Sequence, residues 1–353
     1  MNGFVFDAKL PRVVFGAGTL ARLPEEVERL GARRALVLAT PDQAAMAERV
    51  AALLGVRSAG VFARAVMHVP IEVAREAREE ARRLDADCAV AVGGGSTTGL
   101  GKAIALDSGL PIVAVPTTYA GSEMTPIYGL TEGGVKKTGR DPRVLPTTVI
   151  YDPELTLTLP PALSVTSGFN AIAHAAEGLY AADANPILAL MAEEGIRALA
   201  RSLPRIRVTP RDLEARADAL YGAWLCGVVL GNAGMGLHHK LCHTLGGSFN
   251  LPHAEVHTVV LPHALAYNAA AAQPAMERIA RAIGARDAAR GLWELARSAE
   301  APTSLREIGM PADGLDRAAD LAVTVPYPNP RPLDRDALRE LLQRAFDGAP
   351  PSP

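Results

Sequence analysis

Apolar residues in the first part of this 353-residue chain fall into short β-branched runs separated by helical spacings. The runs are RVVF (12–15), ALVLA (35–39), AGVFA (59–63), CAVAV (88–92), PIVAV (111–115) and TTVIY (147–151). Helical periodicity lies between them, at 19–30, 42–54, 70–84 and 96–107. The runs are short enough to be strands buried on both faces. Strands alternating with helices predict a mostly parallel sheet covered on both sides. Near residue 160 the strand signal stops. The rest is Ala- and Leu-rich with helical spacing, broken at Pro186, Pro204, Pro210, Pro252, Pro274, Pro302 and Pro311. It predicts a domain of about eight helices. The expected organisation is α/β plus all-α, with an α/β domain over 1–158 and a helical domain over 159–353.

Composition narrows the function. A net charge of -2 gives no sign of a nucleic-acid surface, and no nucleic-acid partner is expected. Cys88, Cys226 and Cys242 form no C-x-x-C pair, so a reduced, cytoplasmic setting is expected. The start, MNGFVFDAKLPR, lacks the apolar core of a secretory signal. The stretch 219–238 carries no charge and approaches membrane-spanning length. Glycines and Asn232 interrupt it, so it reads as a buried core helix, with no membrane partner.

Three glycine-rich segments compete as phosphate binders. GAGTLA (16–21) follows a strand and opens a helix, as a dinucleotide fingerprint does. No acidic residue follows the next strand, where Ala39-Thr40-Pro41 stands, which weakens the match. GGGSTTGLGKA (93–103) follows the strongest strand. Its successive glycines let backbone N–H groups approach a pyrophosphate at a helix N-terminus. The alternative is a tight strand-to-helix turn. TEGGVKKTG (131–139) shows neither a strand before it nor a clear helix after it, and reads as a surface hairpin or loop.

Six of the eight histidines lie between positions 238 and 263. His174 sits apart in SGFNAIAHAAE, one helical turn after Asn170. A carboxylate at 170 would complete a divalent-metal site with His174 and the later histidines. The chain has a neutral amide there, a much poorer ligand. His239 and His243 share a helical face, four residues apart. His238 and His257 read as structural neighbours on other faces, His263 as a packing or capping residue, and Cys242 as a buried thiol rather than a nucleophile.

GGGS after a strand, PTTYAGSEMT (116–125), DPEL (152–155) and the spaced histidines occur in this order. Together they resemble the iron-containing alcohol dehydrogenase family over most of the chain. The resemblance implies a dehydroquinate-synthase-like architecture of nucleotide-binding α/β domain and helical domain. It places NAD(P)H at Gly93, Gly94, Gly95, Ser96 and Thr97, with Thr117 and Thr118 on the adenine or ribose side. Thr40 holds the place of the family's acidic residue after the second strand. Repulsion of a 2′-phosphate is then absent, and both NADH and NADPH are expected to serve. The family's metal ligands fall on Asn170, His174, His239 and His253. The family normally has aspartate at the first of these, and often aspartate where Gly99 stands. The departure implies a degenerate site with no metal expected.

SVTSGFNAIAHAAEGLY (164–180) and PNPRP (328–332) look most like a branch of the family acting in aromatic degradation. That branch reduces a carbon–carbon double bond, conjugated to a ketone, in a small anionic dicarboxylate. Hydrogen-bond donors can stabilise the resulting enolate without a metal, and an imidazole can deliver the proton. His243, outside the ligand positions, is the candidate acid. His174, His239 and His253 are candidates for lining the substrate site. Lys136 or Lys137 falls at the family's lysine near the nicotinamide ribose or reacting oxygen, with a solvated loop pair as the alternative. Arg331, Tyr119 and Tyr327 are weaker candidates, and a homodimer is expected. Two other readings stay open: a metal-dependent alcohol or polyol dehydrogenase that tolerates Asn170, and a nucleotide-binding remnant without catalysis.

Overall fold

The computed structural model describes residues 3–133 and 135–352, the side chains of Val135 and Lys136 apart. It divides into two compact units. Ala8–Leu159 forms the α/β unit, and the helices that follow, grouped with the residues before Ala8, form the other.

In the α/β unit the six apolar runs become parallel strands: β1 (Arg12–Phe15), β2 (Ala35–Leu38), β3 (Ser58–Phe62), β4 (Cys88–Gly93), β5 (Ile112–Pro116) and, after a hairpin, β8 (Thr148–Tyr151). Their order is β1-β8-β5-β4-β2-β3. Every residue of β2, β4 and β5 is buried, which is why those runs are continuously apolar. The intervening helices are α1 (Leu23–Arg29), α2 (Ala44–Leu54), α3 (Ile71–Arg83) and α4 (Gly95–Ser108). Ala74, Ala77 and Ala81 of α3 are buried at helical spacing, with its charged residues on the other faces.

β6 (Ile127–Glu132) and β7 (Val135–Arg140) pair antiparallel. TEGGVKKTG is thus the tip of a hairpin, and a strand does precede it. That strand is partly exposed and short of β-branched residues, so no buried run announced it. The segment leading into the hairpin is tied down by Lys102 of α4. Its Nζ donates to the carbonyls of Ser122 (2.7 Å), Thr125 (2.9 Å) and Ile127 (2.7 Å).

Nine α-helices, one more than expected, make up the helical unit among the described residues. They are α5 (Pro161–Gly178), α6 (Pro186–Val208), α7 (Leu213–Asn232), α8 (Leu237–Phe249), α9 (His253–Asn268), α10 (Gln273–Ile283), α11 (Ala288–Ser298), α12 (Leu315–Val323) and α13 (Arg335–Asp347). Asparagine or aspartate caps start four of them: Asn185, Asp212, Asp287 and Asp334 accept from first-turn N–H groups. α6 and α7 touch backbone to backbone at Gly195 and Gly222. A Cβ on Gly222 would lie 2.9 Å from the Gly195 carbonyl oxygen. The uncharged stretch 219–238 is not one helix: it covers the end of α7, a turn, and the start of α8, with the two helices bent by 96°. Among the described residues, no single helix is long and apolar enough to cross a membrane.

Candidate active site

The two glycine turns that follow β1 and β4 are built differently. In the first, the Gly18 N–H donates to Asp152 Oδ1 (3.1 Å) and the Leu20 N–H to Asp152 Oδ2 (3.0 Å). Asp152, the aspartate of DPEL, is buried and already fills the anion position that this turn offers. The second turn lies at the reversal of the sheet: β2 and β4 are neighbours, yet β2 leads to β3 on one side and β4 to β5 on the other. The crevice at the carboxyl ends of such strands is where open α/β sheets bind nucleotides.

Several of the candidate cofactor residues meet at this second turn. Gly93 has φ +150 and Gly94 precedes the first residue of α4, Gly95. A Cβ on Gly93 would strike Thr97 Oγ1 at 2.5 Å, and one on Gly94 would press on Thr118 at 3.0 Å. A Cβ on Gly95 meets nothing closer than Ala120, at 3.7 Å. Gln43, which sequence reasoning missed, ties the edges together. It donates to Thr117 Oγ1 (2.9 Å) and accepts from Thr40 Oγ1 (3.4 Å). Thr97 Oγ1 is buried without a hydrogen-bond partner, and Ser96 lies in the first turn of α4. The turn fits a pyrophosphate: N–H groups at a helix start, glycine next to them, and hydroxyls around.

The helical unit gathers six imidazoles from three helices. α5 supplies His174, α8 supplies His238, His239 and His243, and α9 supplies His253 and His257. Ring centroids are 5.1 Å apart for His174–His239, 6.3 Å for His239–His243, 6.4 Å for His243–His253 and 4.4 Å for His253–His257. His238 and His257 belong to this cluster, a correction to their reading as neighbours on other faces. His238 Nε2 lies 2.9 Å from His257 Nδ1, and the His257 ring is 5.1 Å from His239. α9 turns His257 back over α8, which helical spacing within either helix does not reveal. His174, His238, His239 and His257 are buried, His253 is half-buried, and His243 is exposed.

Glu177 is the second residue that sequence reasoning passed over. Its carboxylate accepts from the Gly236 (3.0 Å), His238 (2.8 Å) and His239 (3.3 Å) N–H groups, which begin α8. His239 Nδ1 donates to it at 2.6 Å. Burial opposes its charge, but these hydrogen bonds outweigh burial and hold it down at about 2. The available signal was its position, three residues after His174 on one helical face. Burial, then the neighbouring rings, push His174 and His257 well below the usual imidazole range and His238 to about 3. His174, His238 and His257 are therefore neutral near pH 7. His263, apart from the cluster on α9, is also held neutral by burial, at about 4.

A catalytic iron or zinc at Asn170, His174, His239 and His253 would find neutral donors only. Asn170 Oδ1 and His239 Nε2 are buried without hydrogen-bond partners. Glu177, the buried carboxylate beside them, is taken up by α8 and His239. Without an anionic ligand, the donor set does not fit the family's ferrous centre.

The remaining candidates are placed as follows. Lys137 lies exposed on β7 and pairs with Glu132 at 2.8 Å. The Lys136 side chain lies outside the described residues. Arg331 stacks on the Tyr267 ring at 4.1 Å and donates to the Tyr267 carbonyl. Tyr119 is fully buried. The Tyr327 hydroxyl is buried without a partner, and burial raises its pKa. Gly99 packs against Val69, where a Cβ would crowd it.

An open glycine turn at the reversal of a parallel sheet, and a unit of helices with clustered imidazoles, define a nucleotide-dependent enzyme. The chain matches the family models for iron-containing alcohol dehydrogenase over residues 11–153 and for the C-terminal part of the Fe-containing alcohol dehydrogenase family over 164–346. It is 68% identical to maleylacetate reductase from Burkholderia cepacia over 352 residues, covering 100% of both chains. It is 61% identical to maleylacetate reductase from Pseudomonas sp. strain P51, covering 99% of each. The crystal structure of maleylacetate reductase from Agrobacterium tumefaciens superposes with a TM-score of 0.97 at 56% identity, over 99% of this chain and 100% of that one. The chain is an oxidoreductase of the iron-containing alcohol dehydrogenase family.

Proposed function

We propose that this chain reduces the carbon–carbon double bond of maleylacetate to give 3-oxoadipate in aromatic degradation, with NADH or NADPH and without a catalytic metal. The observation that carries the reading is the histidine cluster in which Asn170 stands at the first ligand position and no carboxylate is left to bind a metal. The relatives that match over the full chain carry the name of this reaction.

The turn Gly93–Gly95 and the hydroxyls of Thr97, Thr117 and Thr118 would hold the cofactor, whose nicotinamide supplies hydride. Hydride adds to the alkene carbon farther from the ketone, and the π electrons move to the ketone oxygen as an enolate. A proton is then needed at the carbon next to the ketone. His243 is exposed and can be reprotonated from water, so it is assigned as the donor. His239 is oriented by Glu177 through Nδ1, and its Nε2 is buried without a hydrogen-bond partner. Thr40 leaves no carboxylate to repel a 2′-phosphate, which supports use of both cofactors.

A metal-dependent alcohol dehydrogenase is the second reading. One observation favours it: histidines that ligate metals also donate their other nitrogen to a carboxylate, as His239 does to Glu177. The deciding experiment follows NADH consumption with freshly prepared maleylacetate, using protein stripped by a chelator. Full activity in stripped protein is expected. Activity that returns only with Fe²⁺ or Zn²⁺ would establish the second reading, and no turnover in either state would remove the first.

A further inference from the structure

Within the histidine cluster, three side chains outside the family's ligand positions form a compact nitrogen–sulfur group. His238 and Cys242 lie one turn apart on α8, and α9 sets His257 against them. Their ligand atoms all lie within 4.8 Å of one another, and all three residues are buried. His238 Nε2 is 2.9 Å from His257 Nδ1, and Cys242 Sγ is 3.5 Å from His238 Nε2. A tetrahedral zinc ion bonds sulfur at roughly 2.3 Å and nitrogen at roughly 2.0–2.1 Å, which sets ligand atoms roughly 3.3–3.6 Å apart. The Cys242–His238 separation already has that spacing, and the His238–His257 pair must open slightly to reach it.

Two further observations bear on a cation. His257 Nε2 is buried and has no hydrogen-bond partner, so no contact at that nitrogen opposes a change of tautomer. The cluster also holds one buried negative charge, Glu177, bound by the N–H groups that begin α8 and by His239. A dication bound through one thiolate would bring one net positive charge into the same cluster.

We propose that His238, Cys242 and His257 form a binding site for a thiophilic divalent cation, with Zn²⁺ as the natural choice, separate from Asn170, His174, His239 and His253. On binding, the two imidazoles give lone pairs and the thiol gives its proton to solvent. The proton now shared between the two rings passes to the far nitrogen of its own ring. One proton is released per ion, and the fourth tetrahedral position is left for water.

Cobalt is the probe. Chelator-stripped protein is titrated with Co²⁺ and followed by absorbance. Saturation at one equivalent is expected, with a thiolate-to-cobalt charge-transfer band in the near-ultraviolet that Zn²⁺ abolishes. Cys242→Ser, nearly isosteric, should lose the band and bind at least tenfold more weakly. Asn170→Ala should keep both band and affinity. Should Cys242→Ser fail to fold by circular dichroism, His257→Asn serves as the second variant, with the same tenfold weakening expected. The proposal is overturned by the absence of saturable binding, by a band that survives Cys242→Ser, or by a band lost in Asn170→Ala. None of these readouts uses turnover, so the outcome is independent of the maleylacetate assay.

Discussion

In the α/β unit the groups offered to a ligand belong mainly to the backbone, whereas in the helical unit they belong to side chains. The turn at Gly93–Gly95 is open because side chains are missing: any Cβ on Gly93 would displace Thr97 and Gln43. The helical unit works the opposite way. Its histidine cluster buries four imidazoles and a carboxylate, and burial holds His174, His238 and His257 in the neutral form. The difference explains how one chain can keep its cofactor turn while its metal site loses the charged ligand. A backbone site is sensitive to substitution chiefly at its glycines, but a side-chain site changes with any one of its ligands, such as the residue at position 170.

The largest effect should come from the helical unit. His243→Ala is expected to lower kcat by roughly a hundred- to ten-thousand-fold, the usual worth of a general acid, with NADH affinity unchanged. A variant with near-normal kcat and the same pH profile would move the proton donor to another group. Glu177→Gln comes next, since it leaves five donors, the Tyr180 hydroxyl among them, facing a neutral amide. Breaking such a buried charged contact costs about 3–5 kcal/mol, to be read as a lower urea midpoint. A midpoint within error of the parent would show that α8 does not depend on this carboxylate.

The α/β unit should respond in cofactor binding. Gly95→Ala keeps the fold, because its Cβ has ordinary contact with Ala120. It should raise the apparent KM for NADH roughly tenfold or more, as expected when hydrogen bonds to a charged group are lost. Gly18→Ala, at φ +73, should cost about 1–2 kcal/mol of stability and leave that KM alone. The reverse pattern would mean that the first turn is the cofactor loop.

Acid should separate the units further. Buried His238 and His263 have folded pKa values of about 3 and 4, below the ordinary 6.5. The unfolded chain therefore binds more protons than the folded one below 6.5. Stability is whole above that pH and is lost as pH falls towards 4, at about 1.4 kcal/mol per pH unit for each such histidine. Glu177, held at about 2, acts in the same direction below its ordinary 4.5. Hydrogen exchange at pH 7 and pH 5 should show the helical unit loosening first, and a loss confined to the sheet would contradict this. The smallest expected effect is Asn170→Asp, which adds one negative charge among neutral rings. Zn²⁺ affinity at the family's positions should rise about tenfold, as a single nearby charge allows. An unchanged affinity would mean that position 170 does not face those rings.

Much of the architecture was readable from the chain alone. A buried parallel strand must be apolar on both faces, and its run is short and continuous, so all six strands of the main sheet were visible. The change of pattern near 160 marks the boundary for the same reason: helices and buried strands have different periods. The hairpin β6–β7 escaped notice because it is half exposed and lacks such a run. The glycine turn after β4 and the histidine positions were legible as motifs, since three successive glycines and clustered imidazoles stand out locally. What the tertiary structure alone decided was which groups meet. Asp152 is 134 residues from the turn it closes, and Glu177 is 62 residues from the imidazole it orients. His257 joins the cluster through the packing of α9 on α8. No local pattern encodes such pairs. They arise where separate elements pack together, and burial in that packing then holds His174, His238 and His257 neutral.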